Sequence, residues 1–149
     1  MNEDFKDFLD CLLRSDARFL VVGAHALAVQ GVPRATGDLD IWIDASPQNA
    51  EKVWLALMNF GSPAETLGIS QRDLTVRGTV VQIGLPPRRI DVLTAITGVE
   101  FEDAWRRKET HRIDEADIPF IGRDDFITNK RATGRLRDLA DIEALGEKP

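Results

Sequence analysis

The chain has 149 residues, 43% apolar and 30% charged, with a formal net charge of −6, a size that suits one domain burying about two-thirds of its unfolded surface. The acidic balance argues against a surface built to grip a long polyanion non-specifically, and no apolar run nears the ~18 residues of a membrane span. One cysteine, Cys11, excludes an intramolecular disulfide and fits a reducing compartment.

The first residues lack the basic start and apolar core of a signal peptide, so the expected location is the cytoplasm. Residues 2–14 read as a helix with Phe5, Phe8, Leu9, Leu12 and Leu13 on one stripe and Cys11 packed beside it. Residues 19–23 read as a short buried strand ending at Gly23, and residues 24–30 as a short helix closed by Gly31 and Pro33. An apolar strand from Asp38 to Asp44 follows. Ser46 and Pro47 then supply a helix cap and a first-turn proline for a helix that runs to Gly61. Residues 61–73 read as a loop. Residues 79–85 and 89–94 read as paired strands around Pro86-Pro87. A short helix near 101–108 and a strand or hairpin near 113–121 come next. A helix opens at Gly122, with Asp124 as its expected cap, and Thr133-Gly134 separates it from a last helix over 135–145.

Strands that neighbour one another among interleaved helices define an α/β (α+β) class with one mixed sheet, and the expected organisation is a single domain over 1–149. The basic residues fall in two groups. Arg106, Arg107, Lys108 and Arg112 read as a solvated face, whereas Lys130, Arg131, Arg135 and Arg137 lie where the last two helices meet.

The chemistry concentrates at Asp38 and Asp40. Two residues apart on a strand, both carboxylates take one face while Leu39, Ile41 and Ile43 take the other. Paired acids on a buried strand need a positive partner, and Mg²⁺ carrying nucleotide phosphates suits one or two carboxylates. The preceding strand, Gly turn and helix can offer backbone N–H groups to a triphosphate at Gly23 and Ala24. Asp91, alone among the apolar residues of 90–93, is either a third ligand of such a site or the partner of Arg88 or Arg89 at a strand start. His25 and His111 are too few and too far apart for a zinc site, and His25 reads as a packing residue.

Gly23-Ala24, the short spacer, and Arg34-Ala-Thr-Gly-Asp-Leu-Asp40 resemble the signature of the DNA polymerase β-type nucleotidyltransferase superfamily. The segment from Arg34 to Asp40 is similar to that of its small bacterial branch, which includes AbiEii-like toxin nucleotidyltransferases and minimal nucleotidyltransferases paired with HEPN proteins. The likeness extends through Arg89-Ile-Asp-Val-Leu93 and 129–145. It implies a minimal nucleotidyltransferase fold, a twisted sheet with the acids on one face and helices on the other. It also implies a Mg²⁺-dependent transfer of a nucleoside monophosphate from an NTP to a macromolecular hydroxyl, with two Mg²⁺ ions, or Mn²⁺ in their place, held by Asp38, Asp40 and Asp91.

By the same likeness Lys130 is the cation expected at the phosphates, and either Asp138 or Asp141 takes a fourth acidic position. Arg34 and Thr36 stand where they meet phosphate oxygens or hold their loop. Ala24 departs from the serine many members carry there, leaving only its backbone N–H. The acceptor is a tRNA 3′ end, which makes the chain a toxin, or a side chain of a partner protein, which makes it an antitoxin. The competing class is a non-catalytic module of the same fold that binds nucleotide or a partner. Base preference and oligomeric state are open.

Overall fold

The computed structural model describes residues 1–33 and 37–149. Among them lie six α-helices and one sheet of six strands. Asn2 opens α1 (Glu3–Arg14), its side chain accepting from the Phe5 N–H at 2.9 Å, which satisfies one of the donors a helix start leaves free. Phe5, Phe8, Leu9 and Leu12 are buried from α1, but Leu13 of the expected stripe is exposed and Cys11 is half-buried. The stripe is narrower than the sequence suggests because Leu12 already completes it and the next residue turns out to water.

β1 (Phe19–Val22) leads directly into α2 (Gly23–Val29), and β2 (Leu39–Ile43) returns beside β1. α3 (Pro47–Phe60) starts at the Ser46 cap, whose hydroxyl accepts from the Asn49 N–H, and ends at Gly61 in the left-handed conformation. A 3₁₀ turn (Gln71–Thr75) precedes β3 (Val80–Ile83), which pairs antiparallel with β4 (Ile90–Leu93). α4 (Phe101–Arg106) stops earlier than expected. The hairpin of β5 (Glu109–Ile113) and β6 (Ala116–Phe120) correspondingly begins before residue 113. α5 (Arg123–Thr133) and α6 (Leu136–Ala144) close the chain. The residue capping α5 is Gly122, not Asp124; the next acid, Asp125, turns inward and takes both guanidinium donors of Arg107 at 2.9 and 3.0 Å. Arg107 keeps its place on the solvated face, its side chain 55% exposed, while it pairs with that buried acid.

The strands lie in the order β3-β4-β2-β1-β6-β5. β1 and β2 are antiparallel, whereas β4 runs parallel to β2 and β6 parallel to β1. Alternation along the registered pairs places Leu39, Ile41 and Ile43 on one face with Phe19, Val21, Ile90 and Val92. Asp40 and Trp42 share the other face with Leu20, Val22, Asp91 and Leu93. That second face is not left to the acids alone. Trp42 packs edge-on against Phe101 of α4, ring centres 5.1 Å apart, so helices stand on both faces.

Asn49, almost fully buried in the first turn of α3, ties this frame together. It accepts from the Arg18 N–H at 2.7 Å and donates to the Arg18 and Asp44 carbonyls at 2.9 and 2.8 Å. One amide thus joins the entry of β1, the exit of β2 and the start of α3. Asn49→Ala takes this partner from the Arg18 N–H and the Asp44 carbonyl, both half-buried, while the Arg18 carbonyl keeps the Asp44 N–H; we expect it to lower stability by about 1–3 kcal/mol in urea unfolding, and a loss below about 0.5 kcal/mol would show that water replaces the amide.

Candidate active site

The parallel register of β2 and β4 sets Asp40 directly opposite Asp91, and Asp38 lies just before β2 on the same side. Three carboxylates therefore gather at the head of two neighbouring strands. Burial, together with the charges of Asp91 and Asp38, pushes the Asp40 carboxyl up to about 6, while Lys130 pulls it part of the way back.

Gly23 is fixed by this cluster. It turns β1 into α2 with φ of +69°, a conformation L side chains rarely adopt, and a Cβ built there would overlap the Asp40 carboxylate. The tight turn thus brings the Gly23 backbone against the acid. Two adjoining clefts of about 230 Å³ each open at this point, and both are lined by Gly23, Asp40, Lys130 and Arg135. One extends past Ala24 to Arg137 and Asp141; the other passes Leu93 to Asn129.

Lys130 reaches the clefts from α5. Its Nζ lies 3.3 Å from Asp138 and 3.4 Å from Asp141, and 5.3 Å from the centre of the Phe126 ring. The two acids that the sequence could not separate differ sharply here. Asp138 is fully buried and saturated: it accepts from Thr133 Oγ1 at 2.7 Å, from Arg135 through its N–H, Nε and Nη2, and from Lys130. Asp141 instead lines the cleft that holds Asp40.

Sequence reasoning took Arg89 only as a strand-start partner of Asp91, and the structure gives it more. Its Nε and Nη2 donate to Asp91 at 2.7 and 3.2 Å, and Nη2 also lies 3.2 Å from Asp38. The signal was the Arg-x-Asp spacing, which puts both side chains on one side of a strand. Arg34 and Thr36 lie outside the described residues. His25 is buried edge-on to Phe5 at 5.5 Å, and burial lowers its pKa, so it stays neutral as a packing residue.

Among the described residues no three His, Cys, Asp or Glu side chains stand converged as a ready cation cage; Arg89 lies between two of the acids instead. The donor set nevertheless fits a hard divalent cation, because its oxygens come from three acids, with Arg89 and Lys130 the cations beside them among the described residues.

The chain matches no known family model and no curated protein. Among solved structures it is similar to a Thermotoga maritima protein provisionally described as a nucleotidyltransferase. The likeness has a TM-score of 0.59 at 17% identity over 95% of this chain and 88% of the other. At that identity the likeness is one of architecture, and the six-stranded mixed sheet with its helices is a nucleotidyltransferase-like fold. No helix among the described residues is long and apolar enough to cross a membrane.

Two stability measurements probe this cluster without any activity. Asp40→Asn removes a charge the folded chain holds at a cost, so in chelator at pH 7.5 the variant should be more stable than wild type by about 1–3 kcal/mol; equal or lower stability would mean the acids do not repel. Burial alone would raise the Asp138 carboxyl, but bonds from Arg135, Thr133 and Lys130 outweigh it and hold it well below the usual range. Its contribution is therefore present above the unfolded carboxylate pKa of about 3.9 and lost as pH falls further. Asp138→Asn should cost about 3 kcal/mol in urea at pH 7 and distinctly less at pH 3. A gap that stays constant between those pH values would show that the carboxylate is not held ionised.

Proposed function

We propose that the chain is a Mg²⁺-dependent nucleotidyltransferase that moves a nucleoside monophosphate from an NTP to a macromolecular hydroxyl. The observation that carries this reading is Asp40, packed against Gly23 on clefts that Lys130 also lines, with Asp91 opposite it on β4 and Asp38 two residues before it. The acceptor oxygen bonds to the α-phosphorus as the bond to the pyrophosphate leaving group breaks.

Asp38, Asp40 and Asp91 would hold the metal, which supplies neutralisation of the triphosphate and activation of the attacking oxygen. Asp91 is the acceptor for the hydroxyl proton. The bare backbone of Gly23 lets phosphate oxygens approach the chain closely, and Ala24 adds its N–H. Lys130 offsets charge on the transferring group and the departing pyrophosphate. Asp141, on the cleft wall, is the better candidate than Asp138 for the fourth acidic position, because Asp138 is already spent on Arg135, Thr133 and Lys130. The sequence likeness across 34–40 and 129–145 supports placing the chain in the AbiEii-like and minimal nucleotidyltransferase branch, acting in the cytoplasm within a toxin–antitoxin pair, on tRNA or on a partner protein.

One observation favours a second reading, a non-catalytic module of the same fold: Arg89 pairs with both Asp38 and Asp91 without a metal. The deciding experiment offers the protein four α-labelled NTPs with Mg²⁺, total tRNA and cell lysate, beside the double variant Asp38→Asn/Asp40→Asn. We expect label in RNA or in protein that disappears in the double variant and fixes the acceptor class. Wild type should also gain roughly 2.7 kcal/mol of stability from a nucleotide at 100 times its dissociation constant. Stabilisation without transfer would select the module; neither signal would dismiss both readings.

A further inference from the structure

Every carboxylate oxygen of Asp38 and Asp91 is taken up by one residue. The Arg89 N–H donates to Asp38 Oδ1 at 3.0 Å, and its Nη2 lies 3.2 Å from Asp38 Oδ2. Nε and Nη2 hold Asp91 Oδ1 and Oδ2 in a two-pronged contact at 2.7 and 3.2 Å. A planar guanidinium matched to two oxygens of one acid and one of another is geometrically well set. A divalent cation that uses these acids needs the same oxygens. It cannot enter while the guanidinium keeps them, because two cations would compete for one set of lone pairs. The Arg89 side chain is 28% exposed, so its outer edge already faces solvent and it has a way out.

We propose that Arg89 is an exchangeable placeholder: it stays across Asp38 and Asp91 in the metal-free protein and leaves when a divalent cation takes their oxygens. The inference rests on the nucleotidyltransferase reading above. Its consequence is a site that holds its acids in position without metal, at the expense of metal affinity. The released guanidinium stays tethered beside the acids at the start of β4, with its charge free for a polyphosphate.

The test is Mn²⁺ binding to the full-length, nucleotide-free protein, followed by loss of the free-ion EPR signal. If Arg89 is seated about nine-tenths of the time, apparent affinity lies about tenfold below the intrinsic value, so Arg89→Gln should bind Mn²⁺ about tenfold tighter. Arg88→Gln is the control for charge alone, since Arg88 is exposed and has no ion pair among the described residues; it should change affinity by no more than about twofold, because exposed charges act through screened solvent. Melting in chelator adds a second readout: Arg89→Gln should melt lower than wild type, and Mn²⁺ should restore it. Affinity in Arg89→Gln that is unchanged, weaker, or matched by Arg88→Gln overturns the placeholder while leaving the metal site standing. A lowered melting point that Mn²⁺ does not restore also overturns it, since Arg89 would then be structural only. No Mn²⁺ binding by either wild type or Arg89→Gln overturns the metal-site reading, and the placeholder with it.

Discussion

Three carboxylates forced together at the head of two parallel strands set the terms for the rest of the molecule. Their closeness follows from register: once Leu39 pairs with Ile90, Asp40 must face Asp91. Burial, and after it the neighbouring acids, disfavour the ionised Asp40 carboxyl in the folded chain and push it upward. Arg89 answers two of the acids, through its N–H and guanidinium, and leaves Asp40 as the one whose carboxyl is pushed upward.

Positive charge reaches the cluster by two unlike routes. Arg89 comes from the acids' own strand edge and lies flat across two of them. Lys130 arrives from α5, and its direction is set from behind by Asp138, which also binds Thr133, the N–H that starts α6 and the Arg135 guanidinium. A flexible lysine on a helix surface samples many rotamers; one drawn toward a buried acid and resting beside Phe126 samples few. The joint between the last two helices is therefore a positioning device, and the left-handed Gly134 at its corner allows the sharp turn it requires.

Much of this could be read from residues in order. A helix start with a side-chain cap, such as Ser46, declares itself locally, and so do ends such as Gly61 and Gly134, whereas the Asn2 cap of α1 emerged only in the structure. The acids of 38–40 announced their face by period-two alternation. What was hidden depends on contacts between distant residues. Asp124 looked like a cap because acids suit helix starts, yet tertiary pairing of Asp125 with Arg107 decided the geometry there. Asp138 and Asp141 lie three apart on one helix, both buried, and what separates them is their partners and the cleft that Asp141 lines. The second role of Arg89 needed Asp38, which lies 51 positions away.

The order of the strands carries one more consequence. β3–β4 and β5–β6 are each local hairpins, hung on opposite sides of the central β1–β2 pair by the parallel seams β2–β4 and β1–β6. Only the first seam passes through the acids. Fluctuations that part the β5–β6 hairpin from the sheet leave the carboxylates together, whereas the smallest opening along β2–β4 takes Asp91 away from Asp38 and Asp40. The two flanks of this sheet therefore bear differently on the cluster. One hairpin is tied through Glu109 to Gln30 and to the start of α5; the other fixes where Asp91 stands relative to Asp40.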